Sequence, residues 1–433
     1  MKKLNTSPIS GMQELLPKEQ AVFNKFKDCV REVYKHRGFL EIETPVIDRA
    51  EILFAKAGGE TEKQIYKVVK TEEAAEGADQ ALRFDHTVPL ARYIVEHESD
   101  LAFPFRVTQI GRNYRGERAQ KGRFREFYQA DIDVLGRNEL AIEYDAEVIL
   151  TLSEALDALH LPPKLVRVSN RKILVGFLEE LNLQEVASEI FSIVDHAEKV
   201  PLEKTKEWLA ELSIGNERVD SVMNFIDIAG DRADVISRLN SFGFENQKFT
   251  EGLQELDKVL SILESQGLEG SVVADMKIVR GLDYYTGTVF ETILPDYKEI
   301  GSICSGGRYE NLAELYTDQK FPGVGGSIGL TRLFYVLNEY GLINEADVER
   351  RRYAVVPFGN SEPEVEMAYK VARKLREQGE DVDIVFADKK LGDKIKFAGK
   401  TADYLIVIGD DEVRTGTFGV KDLMTGETTT SEI

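Results

Sequence analysis

The chain of 433 residues lacks most of the features by which secreted, metal-binding and membrane proteins are recognised. Its two cysteines, Cys29 and Cys304, are far apart in sequence and give neither a disulfide framework nor the spacing of a zinc site. No apolar run reaches the ~18–20 residues that a transmembrane helix requires, and no apolar segment of a signal peptide follows the N-terminal lysines. We therefore expect a cytoplasmic protein in a reducing compartment, without membrane contact.

Histidine is also scarce, and its distribution argues against two classes of enzyme. The five histidines, at positions 36, 86, 97, 160 and 196, form no metal-binding spacing. They also do not combine with serine and aspartate in the order of a catalytic triad. We expect neither a metalloenzyme nor a serine hydrolase, and no metal site built from protein side chains.

Basic residues are outnumbered, and the formal net charge is −21. Such an acidic chain does not bind nucleic acid indiscriminately, although a local patch can still make a specific contact. The segment 112–126 departs from this balance, because it carries six basic and two acidic side chains. A basic loop in a strongly acidic protein indicates a local site for phosphate or another anion.

The length predicts two or three domains, and the residue patterns describe the first of them. An amphipathic helix begins at Pro17 and ends before Gly38. Segments 103–114 and 124–135 have the pattern of strands, and the basic loop that joins them makes the pair antiparallel. A further helix is expected over about 139–159. The apolar stripe of the first helix consists of Val22, Phe23, Phe26, Val30, Val33 and Tyr34.

The larger organisation follows from changes in these patterns along the chain. Residues 1–168 and 267–345 are predicted to form a discontinuous α+β domain with a mainly antiparallel sheet. Between them, residues 169–266 are rich in charged, helical patterns and poor in strand alternation, which predicts a helical insertion. From 350 to 433, strands and helices alternate as βαβαβ before a hairpin, which predicts a small α/β domain with parallel strand pairs.

The strand that follows the basic loop carries an unusual face. Because side chains alternate along a strand, Phe127, Gln129, Asp131 and Asp133 share one face. A strand with a purely structural role seldom needs acidic and amide groups beside an aromatic ring, so this face is interpreted as the floor of a binding site. The opposite face is an ordinary core face of Tyr128, Ala130, Ile132 and Val134.

Asp85 and Thr87 form a second candidate site. They lie two residues apart in an extended segment and therefore point the same way, and a carboxylate beside a hydroxyl suits recognition of an ammonium group. The alternative is structural: Asp85 can cap a turn before a helix that starts near Pro89.

A third candidate crowds Arg280, Asp283, Tyr284 and Tyr285 together with glycines. A guanidinium in this setting can stabilise charge that develops on a phosphate, whereas a tight turn packed by tyrosines is the structural alternative. Glycines at 301–309 and 323–332 predict close approach of the backbone to a ligand, the second of them in a strand with room for a flat molecule.

The lysines of the C-terminal unit have two interpretations. Five of them lie within twelve residues, in a segment where the sequence predicts a helix. A solvated helix face is the simpler interpretation, and a contact with phosphate or RNA is the more specific one. These lysines are at positions 389, 390, 394, 396 and 400.

Taken together, the motifs resemble those of class II aminoacyl-tRNA synthetases, and specifically the histidyl-tRNA synthetase family, over nearly the whole chain. The segment FLEIETPVI, with Pro45, is similar to the first class II motif, an element of the dimer interface. The segments YRGERAQKGRFREFYQ and GVGGSIGLTRL resemble the second and third motifs. The segments RGLDYYTG and SGGRY are specific to the histidyl family. The resemblance implies a class II catalytic domain, a C-terminal anticodon-binding domain and a homodimer.

The resemblance also implies roles at the nucleotide. Arg115 would hold the α-phosphate of ATP, Glu117 would face the adenine, and Phe127 would stack on the adenine ring. Arg332 would lie against the nucleotide from the side of the third motif. Arg280 would counter the charge at the α-phosphate in the transition state, so Arg115 and Arg280 are the catalytic pair, acting with Mg²⁺.

For histidine and tRNA(His), the resemblance implies two further groups of residues. Asp85 and Thr87 would bind the α-amino group, and the other members of the histidine pocket would be contributed by the strand face and the tyrosine motif. Near the acceptor end of tRNA, the loop would present Gln120, Lys121 and Arg123. The remaining histidine-binding residues would be Arg115, Gln129, Asp133, Arg280, Tyr284 and Tyr285.

Three positions depart from the family pattern. Asp85, within LRFDHT, differs from the glutamate-containing form common in bacterial members and resembles the form of archaeal and eukaryotic ones. Thr331 stands where the third motif usually has glutamate before its arginine, and His86 is unusual in its block. A non-catalytic paralogue that senses histidine, such as an ATP phosphoribosyltransferase regulatory subunit, is the alternative function. Retention of the three motif arginines and of the C-terminal unit favours the ligase, and RGLDYYTG argues against a synthetase for another amino acid.

Overall fold

The structure, a computed structural model, describes residues 4–55, 62–70, 79–118, 122–198, 200–279, 284–310, 312–343, 352–359, 361–386 and 389–432. The chain divides into two compact units, residues 1–343 and residues 344–433. In the described ranges, no helix combines the length and the apolar character that crossing a membrane demands.

The first unit contains a mixed, mainly antiparallel sheet, to which nine of the described strands belong in the order β1-β5-β6-β12-β11-β10-β7-β9-β8. The pairs β1/β5 and β7/β9 are parallel, and a smaller sheet has the order β2-β4-β3. The strands are β1 (Leu40–Glu41), β2 (Ile47–Arg49), β3 (Lys67–Val68), β4 (Gln80–Leu82), β5 (Phe105–Tyr114), β6 (Glu126–Leu135), β7 (Leu165–Asn170), β8 (Ala229–Gly230), β9 (Val272–Asp275), β10 (Tyr285–Ile293), β11 (Cys304–Tyr309) and β12 (Gly323–Ile328).

Helices cover this sheet and fill the segment between β7 and β9. They are α1 (Pro17–His36), α2 (Ala50–Phe54), α3 (Thr87–Glu96), α4 (Glu143–Asp157), α5 (Arg171–Glu180), α6 (Ala187–His196), α7 (Leu202–Glu211), α8 (Asn216–Ile226), α9 (Arg232–Asn240), α10 (Gln247–Leu263) and α11 (Leu330–Glu339).

Helix α1 confirms the amphipathic pattern of its sequence, and it packs on the core face of β6. Phe23 meets Tyr128 and Phe334 edge to face, with ring centroids 5.5 and 5.2 Å apart. The Tyr34 hydroxyl donates to the carbonyl of Ala130 at 3.2 Å. Burial of each such aromatic ring contributes about 1.5–3 kcal/mol, so this contact fixes the back of the strand whose other face carries the site.

The predicted antiparallel pair is β5 and β6, in a register that runs from Phe105 opposite Leu135 to Tyr114 opposite Glu126. The core face of β6 is fully buried at Ala130, Ile132 and Val134, as the alternation predicts. Because β6 lies between β5 and β12, polar side chains on its other face are flanked by side chains from both neighbours.

Helices α5 to α10 occupy the interval in which the sequence predicts a helical insertion. The segment leaves the sheet at the end of β7 and returns at β9, and these two strands pair with each other. Aromatic rings fill its interior, with Phe177 and Phe225 only 4.4 Å apart between centroids. At its base, the guanidinium of Arg167 in β7 bonds to the carboxylates of Glu198, Asp275 and Glu291.

The second unit confirms the predicted βαβαβ pattern and the terminal hairpin. Its sheet has the order β14-β13-β15-β16-β17; β13 pairs in parallel with β14 and β15, and β16 and β17 form the antiparallel hairpin. The elements are β13 (Arg352–Pro357), α12 (Glu362–Glu377), β14 (Asp381–Ile384), α13 (Leu391–Thr401), β15 (Tyr404–Ile408), α14 (Asp410–Thr415), β16 (Thr417–Asp422) and β17 (Thr428–Glu432).

Candidate active site

A cavity of about 300 Å³ opens at the outer end of β6. It is bounded by β6 and the basic loop on one side, and by β11, β12 and the start of α11 on the other. Four residues that the sequence assigns to a nucleotide, and one assigned to tRNA, lie on its wall together with an amide from β6. These residues are Arg115, Glu117, Phe127, Arg332, Arg123 and Gln129.

Arg115 lies where the cavity meets the start of α3. Its Nε donates to the carbonyl of Phe84 at 3.0 Å, and its guanidinium carbon lies 5.2 Å from the centroid of the Phe127 ring. The guanidinium therefore covers the ring on which an adenine is expected to stack. A planar ligand on this face of the ring would require the guanidinium to turn away.

The opposite wall carries a second cation with an incomplete charge balance. Arg332 donates to the carbonyl of Ile300, and burial together with the neighbouring charge of Arg123 lowers the pKa of Arg332, an effect that Glu117 opposes. Glu117 lies 3.6 Å from Arg123. An anion in this cavity would relieve the repulsion between the two guanidinium groups, as expected for a phosphate site.

Asp85 lies at the start of α3, and only 3% of its surface is exposed. Its Oδ1 accepts a hydrogen bond from the backbone N–H of Val88 at 3.0 Å, so the structural role considered for this residue is real. Its Oδ2 has no hydrogen-bond partner among the described residues. Burial raises the pKa of Asp85 to about 6, and Arg115 opposes that shift. One carboxylate oxygen thus caps the helix, and the other is available to a cation.

A group of tyrosines surrounds Asp133, further along β6. The hydroxyl of Tyr309 donates to Asp133 Oδ1 at 2.7 Å, and burial raises the pKa of Asp133 well above its usual range. The Tyr284 ring lies edge to face against Tyr285 and Tyr309, at 5.1 and 5.9 Å between centroids. Burial raises the pKa of Tyr284 well above its usual range, and the neighbouring Thr87 of α3 opposes that rise. The predicted histidine-binding residues of α3, β6 and β10 therefore meet around one space.

Gln129 lies between the nucleotide cavity and this space, and both ends of its amide are bonded. Its Oε1 accepts from Asn113 Nδ2 at 2.7 Å, and its Nε2 donates to Ser327 Oγ at 2.8 Å. Asn113 is in β5 and Ser327 is in β12, so the two neighbouring strands hold the side chain of the central one.

The glycines of β12 do leave room, but protein side chains use it. A Cβ at Gly325 would overlap the carboxylate of Asp133, and a Cβ at Gly323 would overlap the ring of Tyr309. The sequence predicts space for a flat ligand at these glycines. The structure corrects this: the glycines admit the side chains that line the pocket, and the ligand space lies beyond them.

The described residues include eleven of the fourteen predicted site residues, and they converge on the face of β6. Arg280, Gln120 and Lys121 lie outside the described residues. Thr331, where the family pattern has glutamate, accepts a hydrogen bond from the backbone N–H of Tyr128 at 2.7 Å. Thr331 therefore connects α11 to β6 directly.

Sequence reasoning missed three polar groups of this site. Tyr309, Asn113 and Ser327 bond to predicted site residues, although none of them was assigned a role. Tyr309 was within reach of the argument, because it ends the family-specific segment SGGRY. Asn113 and Ser327 carry no local signal, since they join the site only through the pairing of β5 and β12 with β6.

The described side chains offer no ready-made site for Mg²⁺. Among the described ranges, no three histidine, cysteine, aspartate or glutamate side chains are grouped closely enough to hold a metal ion. The protein groups present therefore do not by themselves form a Mg²⁺ site.

The second unit separates its lysines into two kinds. Only 2% of the surface of Lys394 is exposed, and its ammonium group donates to the carbonyl of Pro357 at 2.9 Å. It is therefore unavailable to RNA, which corrects the idea that the whole lysine run forms one surface. Lys389, Lys390, Lys396 and Lys400 are exposed. Four aromatic side chains of the same unit are exposed as well: Phe358, Tyr369, Phe386 and Phe397.

A mainly antiparallel sheet that carries a basic hairpin, a cation on each wall of an anion cavity and an adjoining buried acidic pocket defines a class II aminoacyl-tRNA synthetase. The comparisons with known proteins give the family. A family model described as histidyl-tRNA synthetase matches residues 11–333, and one described as an anticodon binding domain matches residues 353–433. The chain belongs to the histidyl-tRNA synthetase family.

Individual relatives agree over the full length. The chain is 45% identical over 431 residues to a histidine–tRNA ligase of Clostridium tetani, covering 98% of this chain and 96% of the relative. The crystal structure of histidyl-tRNA synthetase from Nostoc sp. PCC 7120 is 36% identical, with a TM-score of 0.87 over 99% of this chain and 97% of that one. A Bacillus halodurans structure described as an ATP phosphoribosyltransferase regulatory subunit/histidyl-tRNA synthetase shares the fold at 23% identity, with a TM-score of 0.78 over 94% and 99% of the two chains.

Proposed function

We propose that this chain performs both steps of histidine–tRNA ligation on the face of β6. In the first step, a carboxylate oxygen of histidine attacks the α-phosphorus of ATP, and pyrophosphate leaves as the histidyl-adenylate forms. In the second, a terminal ribose hydroxyl of tRNA(His) attacks the acyl carbon and AMP leaves. The observation that carries the proposal is the adjacency of an anion cavity and a buried acidic pocket, with Gln129 at their junction.

In the nucleotide cavity, we assign Arg115 to the α-phosphate, Phe127 to the adenine ring and Glu117 to the adenine edge. Arg332 faces the phosphates from the opposite wall. The mutual repulsion of Arg332 and Arg123 supports this assignment, because a phosphate placed between them lowers the energy of both. No general base is required, since the attacking carboxylate is already ionised, and catalysis depends on positioning and on neutralisation of charge.

In the acidic pocket, we assign Asp85 and Thr87 to the α-ammonium of histidine. The free, buried Oδ2 of Asp85 supports this assignment, because an ammonium supplies both its missing hydrogen bond and its missing counter-charge. Asp133, Tyr284 and Tyr285 enclose the imidazole. Since Tyr309 already donates to one oxygen of Asp133, the other oxygen is the group offered to an imidazole N–H.

Arg280 remains a prediction from the resemblance, as the catalytic arginine that counters charge at the α-phosphate. The Arg280→Ala variant should retain histidine binding in calorimetry while adenylation slows by orders of magnitude, because a guanidinium that acts only in the transition state contributes to the rate and not to ground-state binding. Equal loss of binding and rate would show that Arg280 belongs to the histidine pocket.

For tRNA(His), we propose two contacts. Gln120, Lys121 and Arg123 of the basic loop approach the acceptor end, and the second unit binds the anticodon. The second contact is supported by the exposed aromatic rings and the exposed lysines of that unit, because bases stack on such rings while lysines neutralise phosphates. The rings are those of Phe358, Tyr369, Phe386 and Phe397. Within the first unit, residues 1–168 and 267–345 are proposed as the catalytic domain and 169–266 as an insertion.

We also propose that the chain acts as a cytoplasmic homodimer, with ATP accompanied by Mg²⁺. The apolar side chains of Leu40 and Ile47, in or beside the first motif, are 62% and 45% exposed. A second copy of the chain would cover them. Light scattering of the full-length protein tests this directly, and a monomer at micromolar concentration would contradict it.

The test of the ligase itself is histidine-dependent exchange of pyrophosphate into ATP. Exchange with histidine, and none with other amino acids, is the expected result, followed by charging of tRNA(His). Histidine binding without exchange in folded protein would instead identify a histidine sensor of the ATP phosphoribosyltransferase regulatory type.

A further inference from the structure

His86 lies between the two residues assigned to the α-ammonium, but its side chain points to a different place. It is the residue before α3, and its side chain is fully buried. Its Nδ1 lies 3.0 Å from Oδ2 of Asp131. Neither residue has a role in the mechanism proposed above, although Asp131 lies on the strand face that forms the pocket floor and His86 contacts it.

The carboxylate of Asp131 determines which ring nitrogen of His86 carries the hydrogen. A carboxylate only accepts hydrogen bonds, so the contact with Asp131 requires the hydrogen to be on Nδ1. Nε2 has no hydrogen-bond partner among the described residues. It lies over Gly111, where an added Cβ would be 3.2 Å from Nε2 and 2.6 Å from Nη2 of Arg83. Both nitrogen atoms thus lie against Gly111, and the donating nitrogen of His86 faces an anion.

A chain of hydrogen bonds connects Asp131 to the pocket. Its other oxygen, Oδ1, accepts from the hydroxyl of Ser327. Ser327 Oγ accepts in turn from Gln129 Nε2 at 2.8 Å, and Gln129 Oε1 accepts from Asn113 Nδ2 at 2.7 Å. The residues come from α3, β6, β12 and β5, so four elements of the fold converge on one amide.

The direction of this chain decides which end of the Gln129 amide faces which neighbour. A hydroxyl has a single hydrogen. While Asp131 accepts it, Ser327 must receive the N–H of Gln129. If Asp131 could not accept it, Ser327 could donate to Oε1 of Gln129 instead, and the amide could turn over and accept the opposite hydrogen-bond pattern from Asn113. The pocket would then present an N–H where it now presents an oxygen.

We infer that His86 is a positioning residue, which acts through Asp131 and Ser327 to hold the Gln129 amide in one orientation against bound histidine. The Nδ1–H of His86 donates to the buried carboxylate of Asp131. Without it, Oδ2 of Asp131 would lose a hydrogen bond beside Asp85 and Asp133, two further carboxylates of the same pocket. The inference depends on the role proposed for Gln129 in histidine binding.

The experiment compares His86→Leu, which removes the donor and fills the space, with His86→Asn, whose amide nitrogen can donate from the position of Nδ1. Exchange of pyrophosphate into ATP is measured with each variant as a function of histidine and of ATP. For His86→Leu we expect KM for histidine to rise roughly tenfold to a hundredfold, the effect of one lost buried hydrogen bond to a charged group. KM for ATP should stay within about twofold, and His86→Asn should recover most of the loss.

A double-mutant cycle with Ser327→Ala tests the path. Because both substitutions interrupt the same chain, the effect of His86→Leu on KM for histidine should largely disappear in the Ser327→Ala background. Additive effects, or an unchanged KM for histidine in His86→Leu, would overturn the inference. If His86→Leu does not fold, an unchanged KM for histidine in Ser327→Ala overturns it equally. Normal histidine binding by Gln129→Ala would also overturn the inference. The proposed function fails separately, when the unaltered protein shows no exchange.

Discussion

Two groups of buried charged side chains are built into the same sheet, and they are completed to different degrees. In the first, Arg308 of β11 meets Asp145 of α4, and both are almost fully buried. The guanidinium donates through Nε and Nη2 to the carboxylate at 2.7–3.1 Å, and through Nη1 and Nη2 to the carbonyls of Leu140 and Ala141 at 3.0 Å. Every nitrogen of the arginine has a partner within the protein.

The second group is the floor of the histidine pocket, and it is left incomplete. Oδ2 of Asp85, Nε2 of His86 and Oδ1 of Asn113 are all buried, and none has a hydrogen-bond partner among the described residues. Asp131 and Asp133 add two more buried carboxylates nearby. Few native proteins leave so many polar atoms unpaired in one place, because each costs about 1–3 kcal/mol.

The difference teaches how to separate structural from functional buried charge in this enzyme. A group whose hydrogen bonds are all made within the chain contributes to stability, and it has nothing to offer a ligand. A group with missing partners is held at a cost by the surrounding fold, and where such a group faces the pocket, as Oδ2 of Asp85 does, substrate offsets that cost by supplying the partner. The same substitution, aspartate to asparagine, should therefore lower stability in the first group and activity in the second.

The largest effect is expected at the completed group. Asp145→Asn keeps the shape of the side chain but leaves Arg308 buried without its counter-ion, and breaking such a pair costs about 3–5 kcal/mol. The urea midpoint of the first unit should fall accordingly, while KM for histidine at low urea stays unchanged. Replacing both partners, as Asp145→Leu with Arg308→Met, should recover much of the loss. Wild-type stability in Asp145→Asn would remove the distinction.

At the incomplete group, the same substitution should affect activity. Asp85→Asn can still accept the N–H of Val88, but it has no charge for the α-ammonium, and the loss of one member of a buried charged pair costs about 2–5 kcal/mol. The value of kcat/KM for histidine in pyrophosphate exchange should therefore fall by roughly thirtyfold to several thousandfold, with no fall in Tm at pH 8. A loss of Tm as large as that of Asp145→Asn would place Asp85 with the structural charges.

The pH dependence of stability offers a smaller but more specific test. The pKa of Asp85 in the folded protein is about 6, above the ~3.9 of an unfolded chain. The folded state therefore binds the proton more tightly, and the wild type loses stability as pH rises from about 4 to 6. Asp85→Asn avoids this loss, so it should be more stable than wild type at pH 8, by at most about 3 kcal/mol.

That advantage should shrink as the pH falls through 6 and should be gone near pH 4. Asp133 also has a raised pKa, caused by burial with contributions from Asp131 and Asp85, so the difference between the urea midpoints reports Asp85 together with its coupling to Asp133. A difference that is constant from pH 8 to pH 4 would contradict the raised pKa of this carboxyl.

The comparison also explains which parts of the molecule could be predicted from sequence. Helix α1, the β5–β6 pair and the βαβαβ unit were predictable, because apolar periodicity and capping residues are local. The three missed residues of the site could not be found this way. Ser327 reaches Asp131 across 196 positions and Arg308 reaches Asp145 across 163, and only the order and register of strands bring such pairs together.

The strand face of β6 contains both kinds of feature, those that local sequence predicts and those that depend on tertiary contacts. Alternation alone put Gln129, Asp131 and Asp133 on one face, and the resemblance to the family gave roles to Gln129 and Asp133. Asp131 had no role in that scheme, and His86 had no explanation. The two residues explain each other only when α3 and β6 are brought together, since nothing in the local sequence of either one indicates its partner.

The smallest effect is expected in the second unit, where Lys394 extends the comparison to a cation. Lys394 donates to the carbonyls of Pro357 and Phe358, so it belongs with the completed groups, whereas Lys396 is exposed two residues away. Lys394→Met should destabilise the second unit by about 1–3 kcal/mol, because one buried and one partly buried carbonyl lose a charged donor. Lys396→Met should change stability by less than about 0.5 kcal/mol.

In the charging reaction, Lys396→Met should have a larger effect on KM for tRNA(His) than Lys394→Met, the opposite of their order for stability. Lys396→Met removes one accessible positive charge, so KM for tRNA(His) should rise a few-fold, and the rise should be larger at low salt than at high salt. Lys394→Met, assayed below its unfolding transition, should leave KM for tRNA(His) near the wild-type value, because its ammonium group is already bonded within the protein. If Lys394→Met raised KM for tRNA(His) more than Lys396→Met did, a fully bonded buried charge would be part of the RNA contact, and completeness of hydrogen bonding would not separate structural from functional charge in this chain.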